Sequence, residues 1–395
     1  MMPAHLLYGF VRLPWWGYIA VTFALVQLMF LGVTLYLHRD QSHGGLALHP
    51  ALRHFFRFWL WFSSGTVTRE WVAVHRRHHA FADRPGDPHS PVVFGLKRVL
   101  LQGYELYVAA AHDPKIVANY GRGTPDDWLE RNLYSRFPKV GISLFVVLQL
   151  AVFGVPAIAM LGVQLIAQPL FAGGVINGLG HSVGYRSFEL PTAATNIVPW
   201  GVLIAGEELH NNHHAFPSSP RFAVQSWEID LGWLFICLFR ALGLARVDSL
   251  APRPHIVRER TEIDGDTVRA LFTNRMHVLR DYRRRVIRPV FRAVRQESPA
   301  KLAHRSPRLL VRHPKLLDER AHQQLRELLD RYEVLRTVIE FRDRLQQLWD
   351  ETAASHGSAL EQLRKLCAQA ESSSILALRK FALKLRTYAP AVRST

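Results

Sequence analysis

Three histidines in the segment HRRHH, residues 75–79, have a spacing that suits shared ligation. His75, His78 and His79 occupy positions i, i+3 and i+4, which fall within roughly 100° on one face of a helix. The spacing returns in HNNHH, residues 210–214, and a looser pair lies in HRDQSH. The eight histidines of these segments are His38, His43, His75, His78, His79, His210, His213 and His214.

The chemistry expected of these clusters is metal binding. Neighbouring imidazoles compete with one another unless a cation accepts their lone pairs. Cys237 and Cys367 are the only cysteines, so the thiolate sites typical of structural zinc are disfavoured. The eight imidazoles are enough to bind two metal ions and still leave coordination positions open. Open positions suit redox metals, iron above all, that act with dioxygen on an apolar substrate.

A carboxylate di-iron site, which needs two ExxH motifs on bundle helices, is an alternative. EELH contains Glu207 and His210, and ERAH contains Glu319 and His322. The second motif lies in a charged region far from any apolar bundle, so the histidine clusters are the preferred site.

Long apolar runs must position the clusters. Residues 15–37 carry no charge over about 23 residues, roughly 34 Å of helix, which is enough to cross a hydrocarbon core. A second uncharged run, residues 140–180, is interrupted near Gly154 and Pro156 and predicts two crossings joined by a tight turn. The predicted spans are residues 15–37, 140–158 and 162–180.

The shared site constrains the topology. If the clusters at 38–43 and 75–79 serve one site, the chain between them crosses the membrane an even number of times. Two crossings do not fit there, so residues 51–67 are predicted as an interfacial or re-entrant helix. Every cluster then lies inside and the amino terminus outside, in agreement with the basic residues after each helix. Four spans are the alternative.

The carboxy-terminal region has a different composition. Residues 253–395 contain 30 Lys and Arg against 17 Asp and Glu, which accounts for +13 of the net charge of +17. Leucines and aromatic residues recur there at steps of three and four, which predicts a basic, amphipathic helical hairpin. Anionic lipid or an acidic redox protein are plausible partners. Nucleic acid is not expected, because no basic stripe interleaved with aromatic residues is present.

Five motifs together carry a family resemblance: HRDQSH, EWVAVHRRHH, DPHSP, NGLGHSVGYR and GEELHNNHHAFP. In this order and spacing, residues 15–245 resemble the membrane-bound delta-9 acyl desaturases, the stearoyl-CoA desaturase superfamily in its bacterial branch. Residues beyond about 255 resemble the extension of some bacterial desaturases and the terminal helices of certain insertion-sequence transposases, to which no function is assigned.

The resemblance implies a di-iron centre with nine histidine ligands, His181 being the ninth. Asn177 matches an asparagine that reaches one metal through water, and Trp71 an aromatic residue lining the acyl tunnel. Glu207 and Asp87 are candidates for orienting the imidazoles. Interfacial anchoring is the alternative for Trp71, and helix capping or salt bridging for the two acids.

The fold then expected is an all-α integral membrane protein. Residues 1–252 form a membrane-embedded desaturase domain, in which transmembrane helices are capped by a cytoplasmic, helical, histidine-rich di-iron domain, and residues 253–395 form the basic hairpin. The expected location is the bacterial inner membrane, multi-pass, with the metal site on the cytoplasmic side.

The reaction implied by the resemblance inserts a cis double bond, at delta-9, into a saturated fatty acyl chain carried on CoA or membrane lipid. Two iron ions and O2 are required, and a separate ferredoxin-like or flavin reductase protein supplies electrons. A membrane di-iron hydroxylase or ketolase of an apolar substrate is one alternative. A zinc-binding membrane scaffold is another, from a different class.

Overall fold

The chain folds into two compact units in the computed structural model, which describes residues 7–297, 306–351 and 356–391. The first unit comprises Met1–Arg186 and Thr192–Ala251, and the second comprises Ser187–Pro191 and Pro252–Thr395. The short segment 187–191 therefore belongs to the second unit although it interrupts the first in sequence.

The first unit is mostly helical. Its helices are α1 (Trp15–Leu31), α2 (Pro50–Ser64), α3 (Thr68–Phe81), α4 (Pro91–Phe94), α5 (Leu96–Ala111), α6 (Pro114–Tyr120), α7 (Pro138–Phe153), α8 (Pro156–Gln168), α9 (His210–Ala215) and α10 (Leu231–Ala241). Helix α1 continues as a π-helix over Gly32–Ser42, α8 continues as a π-helix over Pro169–Leu179, and a short π-helix covers Glu130–Tyr134.

Short strands complete the first unit. Strand β1 (Leu46–Leu48) pairs antiparallel with β4 (Ala245–Val247), and β2 (Trp200–Gly201) pairs parallel with β3 (Ile229–Asp230). The prediction of an all-α chain is therefore correct for the dominant structure but omitted these short pairs.

Local sequence determines where several of these helices begin. Proline occupies the start of α2, α4, α6, α7 and α8, where its missing N–H removes no intrahelical hydrogen bond. Ser90 caps α4 by accepting from the N–H of Val92 at 3.1 Å, and Asp113 caps α6 by accepting from Lys115 at 2.8 Å.

In the described part of the chain, two helices are long and apolar enough to cross a membrane, Trp15–Ser42 and Pro156–Leu179. Helix α7, at 16 residues, is shorter; its length of about 24 Å falls below the roughly 30 Å of a hydrocarbon core. Apolar side chains on α1 and α8 are exposed, among them Phe23 at 56% and Ile158 at 63%. Such surfaces suit contact with lipid.

The helices of the second apolar run begin and end at other residues than the predicted second and third spans, which stay a prediction. The break lies at Gly154, whose φ of +63° favours glycine, and Pro156 starts the next helix at once. The two helices are therefore Pro138–Phe153 and Pro156–Leu179, whereas the predicted spans are residues 140–158 and 162–180. The predicted helix over 51–67 is present as α2, which ends at Ser64.

Helix α5 approaches the π-helical continuation of α8 very closely. A Cβ atom on Gly103 would lie 2.7 Å from the carbonyl oxygen of Gly173, and one on Gly174 would lie 2.8 Å from that of Leu100. Only glycine permits this backbone contact. The close packing fixes the segment that leads directly into His181.

The second unit has its own helices and core. The helices are α11 (Gly265–Thr273), α12 (Arg275–Tyr282, continuing through Arg283–Ile287 and Arg288–Glu297), α13 (Ser306–Val311), α14 (Glu319–Arg331), α15 (Glu333–Glu351), α16 (His356–Glu371) and α17 (Leu376–Arg386), with a 3₁₀ turn at Pro314–Leu316. Strands β5 (His255–Ile256) and β6 (Tyr388–Ala389) pair antiparallel.

A single hydrophobic cluster joins these helices. Tyr282 of α12, Phe341 of α15 and Phe381 of α17 pack with ring centroids 4.9–6.4 Å apart. The predicted helical hairpin was therefore too simple. Its two amphipathic stripes are divided by breaks near Tyr332 and Ser373, and residues 263–297 contribute further helices to the same core.

Candidate metal centre

Nine histidines come from four segments of the first unit. His38 lies in the π-helical end of α1 and His43 directly follows it. The three histidines of HRRHH lie in the last turns of α3, and the three of HNNHH make up half of the six-residue helix α9. His181 follows the π-helical continuation of α8. His38 and His213, which are 175 positions apart in sequence, are thus brought together.

The first group, here called the five-histidine cluster, consists of His38, His43, His75, His79 and His213. One ring nitrogen from each lies within 4.8 Å of the others. The Nε2 atoms of His43 and His75 are 2.9 Å apart, and the Nε2 atom of His213 lies 3.0 Å from that of His38.

The second group, the four-histidine cluster, consists of His78, His181, His210 and His214, again with ring nitrogens within 4.8 Å of one another. The Nε2 atom of His210 lies 3.0 Å from that of His181 and 3.1 Å from that of His214. Helices α3 and α9 each contribute to both clusters, so the two groups are neighbours.

Both clusters have the chemistry of a cation site. Burial first, and then the charge of neighbouring histidines, hold the pKa of His75, His79, His210, His213 and His214 well below the usual value. The rings are therefore neutral, and lone pairs face each other across about 3 Å. Metal ions at these two points would satisfy them, so the residues fit a pair of nitrogen-bound ions.

Three buried carboxylates each contact the Nδ1 atom of an imidazole, on the side of the ring away from the clusters, and so orient it. Glu207 Oε1 lies 2.7 Å from His38 Nδ1, and Asp87 lies 3.0 Å from His78 Nδ1. Asp83 Oδ2 lies 2.9 Å from His181 Nδ1. If each Nδ1 donates its proton to the carboxylate, the opposite Nε2 must present a lone pair to the cluster.

The charge state of these carboxylates supports that tautomer. Burial alone raises the pKa of Glu207, Asp87 and Asp83, but the interaction with the adjacent histidine and the other hydrogen bonds to each acid outweigh it. The pKa of each acid is lowered overall. Asp83 also accepts hydrogen bonds from Ser90 Oγ and from the N–H of Ala193, both at 2.6 Å.

A further histidine lies beside the four-histidine cluster. The ring centroid of His89 is 4.8 Å from that of His78, and His89 is 5% exposed. Burial, and next the charge of His78, lower its pKa to about 3. Neither ring nitrogen has a hydrogen-bond partner among the described residues. His89, His78 and Asp87 form a third group whose ligand atoms lie within 4.8 Å.

Two other predicted residues lie close to the histidine-bearing elements. Trp71 stacks on His75, with ring centroids 5.1 Å apart and planes inclined by 14°. Asn177 lies one turn before His181, and its side-chain Nδ2 donates to the carbonyl oxygens of Ala172 and Gly173 at 3.2 and 3.1 Å.

Comparison with known proteins gives the clusters a family context. The family model described as fatty acid desaturase matches residues 13–229, which include every histidine of both clusters and more than half of the chain. The chain belongs to the fatty acid desaturase family. It is accordingly an oxidoreductase, a fatty acyl desaturase associated with membranes.

Individual desaturases are similar over the same region. The chain is 29% identical to delta-9 acyl-lipid desaturase 2 of Arabidopsis thaliana over 238 residues, covering 58% of this chain and 74% of the relative. It is 31% identical to sn-1 stearoyl-lipid 9-desaturase of Anabaena variabilis over 225 residues, covering 56% and 80%. It is also 31% identical to an acyl-CoA 5-desaturase of Anemone leveillei over 220 residues, covering 54% and 66%.

The carboxy-terminal region is similar to a different family. A family model described as transposase matches residues 270–395 of this desaturase. The match lies wholly within the second unit and covers less than half of the chain, so it describes a likeness of that region alone.

Most of the residues predicted from the sequence come close together in the structure, and two residues that were not predicted lie beside them. The nine histidines come together as two clusters, and Glu207 and Asp87 each contact one of them. Asp83 and His89 were not predicted. Both lie in the loop ADRPGDPHSP, where the only sequence indication is a second acid four residues before Asp87. In ERAH, His322 Nδ1 lies 3.0 Å from the Asp318 carbonyl oxygen, and the motif joins no candidate metal group among the described residues.

Proposed function

We propose that the chain is an oxygen-dependent di-iron desaturase that inserts a cis double bond at delta-9 into a saturated fatty acyl chain. The observation that carries the proposal is the pair of adjacent clusters, five histidines and four, in a fatty acid desaturase. The acyl carrier is CoA or a membrane lipid, in line with relatives named as acyl-lipid and acyl-CoA desaturases.

The proposed ligands are the nine histidines, with His38, His43, His75, His79 and His213 on one iron and His78, His181, His210 and His214 on the other. Asn177 is proposed to reach the second ion through water. When bound, iron would supply the oxidising power, with dioxygen, that unactivated C–H bonds require and that no side-chain acid or base provides.

The side chains of the protein are proposed to position the metal ligands and the acyl chain. Asp83, Asp87 and Glu207 hold the Nδ1 protons of three imidazoles, so that the Nε2 atoms stay directed into the clusters. Trp71, stacked on His75, is proposed to line the path of the acyl chain. Burial of the clusters keeps water from the reacting carbons.

The reaction removes two hydrogens from adjacent methylene carbons, and the bond between them becomes a cis double bond. Dioxygen, those hydrogens, two further electrons and two protons give two molecules of water. The further electrons are proposed to come from a separate ferredoxin-like or flavin reductase protein.

The proposed setting is the bacterial inner membrane, with residues 1–252 as the multi-pass desaturase domain and the clusters on the cytoplasmic side. The helices Trp15–Ser42 and Pro156–Leu179 support membrane crossing. Topology mapping with reporters placed near His43, His79 and His214 should put all three on one face.

Expression in a host that lacks desaturation tests the reaction. We expect new monounsaturated acyl chains, with double bonds located at carbon nine by lipid mass spectrometry, and none from a His78→Ala variant. An oxygenated product with unchanged unsaturation would instead indicate a hydroxylase or ketolase. Zinc in the purified chain without oxygen consumption would indicate a scaffold.

A further inference from the structure

Six cationic side chains line an open groove on the second unit. They come from the segment after β5, from the middle of the long helix α12, and from α17: Arg258, Arg260, Arg285, Lys380, Lys384 and Arg386. Among the residues that the structure describes, no acidic side chain lines this groove, here called the basic groove. Three separate chain segments therefore place positively charged side chains around one groove.

Half of this charge is already neutralised. Asp264 pairs with Arg260, Asp281 with Lys384, and Glu371 with Arg386. The other three cations, Arg258, Arg285 and Lys380, are exposed and have no hydrogen bond or ion pair within the described residues. They are available to an external anion.

Exposed leucines accompany the free cations. Leu376 and Leu383 on α17 are each 54% exposed. Lys380 lies between them, four residues after the first and three before the second, so all three share one face of the helix. Leu383 lines the basic groove, and Leu376 lines an adjoining groove together with Arg285 and Lys380.

The combination of charge and apolar surface selects a class of ligand. Guanidinium groups match phosphate oxygens in geometry as well as charge. A free phosphate or a duplex backbone would satisfy the cations but would leave the leucines in water. The surface of an anionic bilayer offers phosphates and an apolar layer immediately beneath them.

We propose that the basic groove and the exposed face of α17 bind the surface of a membrane rich in anionic phospholipid. Arg258, Arg285 and Lys380 contact headgroup phosphates, and Leu376 and Leu383 enter the boundary with the acyl chains. The inference concerns the second unit and does not depend on which reaction the first unit performs.

The test uses the full chain reconstituted in nanodiscs of neutral phosphatidylcholine. Binding is measured by cosedimentation with dense vesicles of phosphatidylcholine, alone or mixed with phosphatidylglycerol. We expect binding to the mixed vesicles, weakened by salt, and none to the neutral ones. Equal binding to both kinds of vesicle would overturn the proposal.

Matched variants distinguish binding through the basic groove from attraction by the net charge of the chain. Because each basic residue near an anionic surface contributes about fivefold in affinity, the double change Arg285→Gln, Lys380→Gln should weaken binding about 25-fold. Arg320→Gln, Arg326→Gln removes the same charge from exposed positions on α14, outside the groove, and should have little effect. Equal losses in both would show that only diffuse charge matters, contrary to the proposal.

A third variant distinguishes binding of lipid from binding of nucleic acid. Leu376→Ser, Leu383→Ser should weaken vesicle binding while all basic residues remain. Unchanged vesicle binding by this variant, or duplex DNA bound through the groove in preference to anionic vesicles, would refute the membrane assignment. Iron content and thermal midpoint, measured on each variant, should equal those of the unmodified chain, so a loss of binding is not a loss of folding.

Discussion

Carboxylates hold three of the nine imidazoles from the side opposite the proposed metals. Asp83 meets three groups at once, the His181 ring, the Ser90 hydroxyl and the Ala193 N–H. It therefore joins the four-histidine cluster to two loops. Its φ of +61°, unusual for a residue with a side chain, indicates that this position is held by its surroundings.

Replacing Asp83 should lower metal affinity without removing a proposed ligand. Asp83→Asn keeps the size of the side chain but removes the charged acceptor of the His181 Nδ1 proton, so iron should bind about 10–100-fold more weakly. The measurement is iron titration of the metal-free chain. Asp126→Asn, an exposed acid of the first unit, is the control. Equal affinity in both variants would contradict the role given to Asp83.

A buried ion pair supports the five-histidine cluster from another direction. Both Arg39 and Asp230 have fully buried side chains and form two hydrogen bonds with each other, at 3.0 and 3.2 Å. The guanidinium lies 3.9 Å from the ring centroid of Phe222, and that ring lies 4.8 Å from His213. Asp230 also accepts the N–H of Trp233 at the start of α10.

Breaking this pair should destabilise the first unit strongly. Asp230→Asn leaves the Arg39 charge buried without its counter-ion, a change that costs roughly 3–5 kcal/mol in proteins. We expect a clear fall in the thermal unfolding midpoint of the detergent-solubilised chain. The same substitution in the exposed Arg246–Asp248 pair, Asp248→Asn, should leave the midpoint nearly unchanged. Equal midpoints for the two variants would be inconsistent with this packing.

Close helix packing determines where His181 lies. Gly103 on α5 meets the backbone of Gly173, and the α8 continuation then runs directly to His181. A side chain at position 103 must push the two helices apart. The histidine would move with its helix.

Gly103→Ala should therefore lower both stability and iron content, since overpacking of this kind costs about 1–3 kcal/mol. Gly162→Ala is a matched control on α8, because no atom of the described residues lies within 4 Å of the added Cβ atom and alanine favours a helix. Thermal midpoint and iron per chain are measured for both variants. A Gly103→Ala chain that keeps full iron would show that the packing tolerates the methyl group.

The sequence predicted the elements better than their limits. The i, i+3, i+4 spacing of His75, His78 and His79 follows helical geometry alone, and the helix is present as α3. The division of the histidines into five and four could not be predicted, because α3 supplies His75 and His79 to one cluster and His78 to the other. That division depends on how α3 and α9 pack, which spacing within each helix does not determine.

Loop residues were harder to predict for the same reason. Glu207 directly precedes a histidine motif, whereas Asp83 reaches His181 across 98 positions of sequence. In the carboxy-terminal region, leucine periodicity predicted helices but not their number, because breaks such as Tyr332 carry no strong glycine or proline marker.

The proposed metal binding and the proposed membrane-surface binding lie in different units. All nine histidines and the three orienting carboxylates belong to the first unit, whereas residues 252–395 contain the basic groove. Phe188, in the segment 187–191, is buried and packs against His277 of α12, with ring centroids 5.4 Å apart.

Removal of residues 253–395 should therefore leave the metal site able to form. We expect the shortened chain to bind the same number of irons as the full chain, while exposure of Phe188 lowers its solubility in detergent. Phe188→Ser in the shortened chain should recover part of that solubility. A shortened chain that is soluble and well folded but binds no iron would show that the carboxy-terminal region is part of the metal site.

Two clusters of neutral imidazoles are proposed to hold two irons. Metal counting together with X-ray absorption at the iron edge, on the purified full chain, tests this proposal. We predict two irons per chain, surrounded by nitrogen and oxygen with no sulfur, and a loss of iron in the His78→Ala variant. One iron or none per chain after iron loading, zinc in its place, or sulfur scattering at the metal would contradict the account.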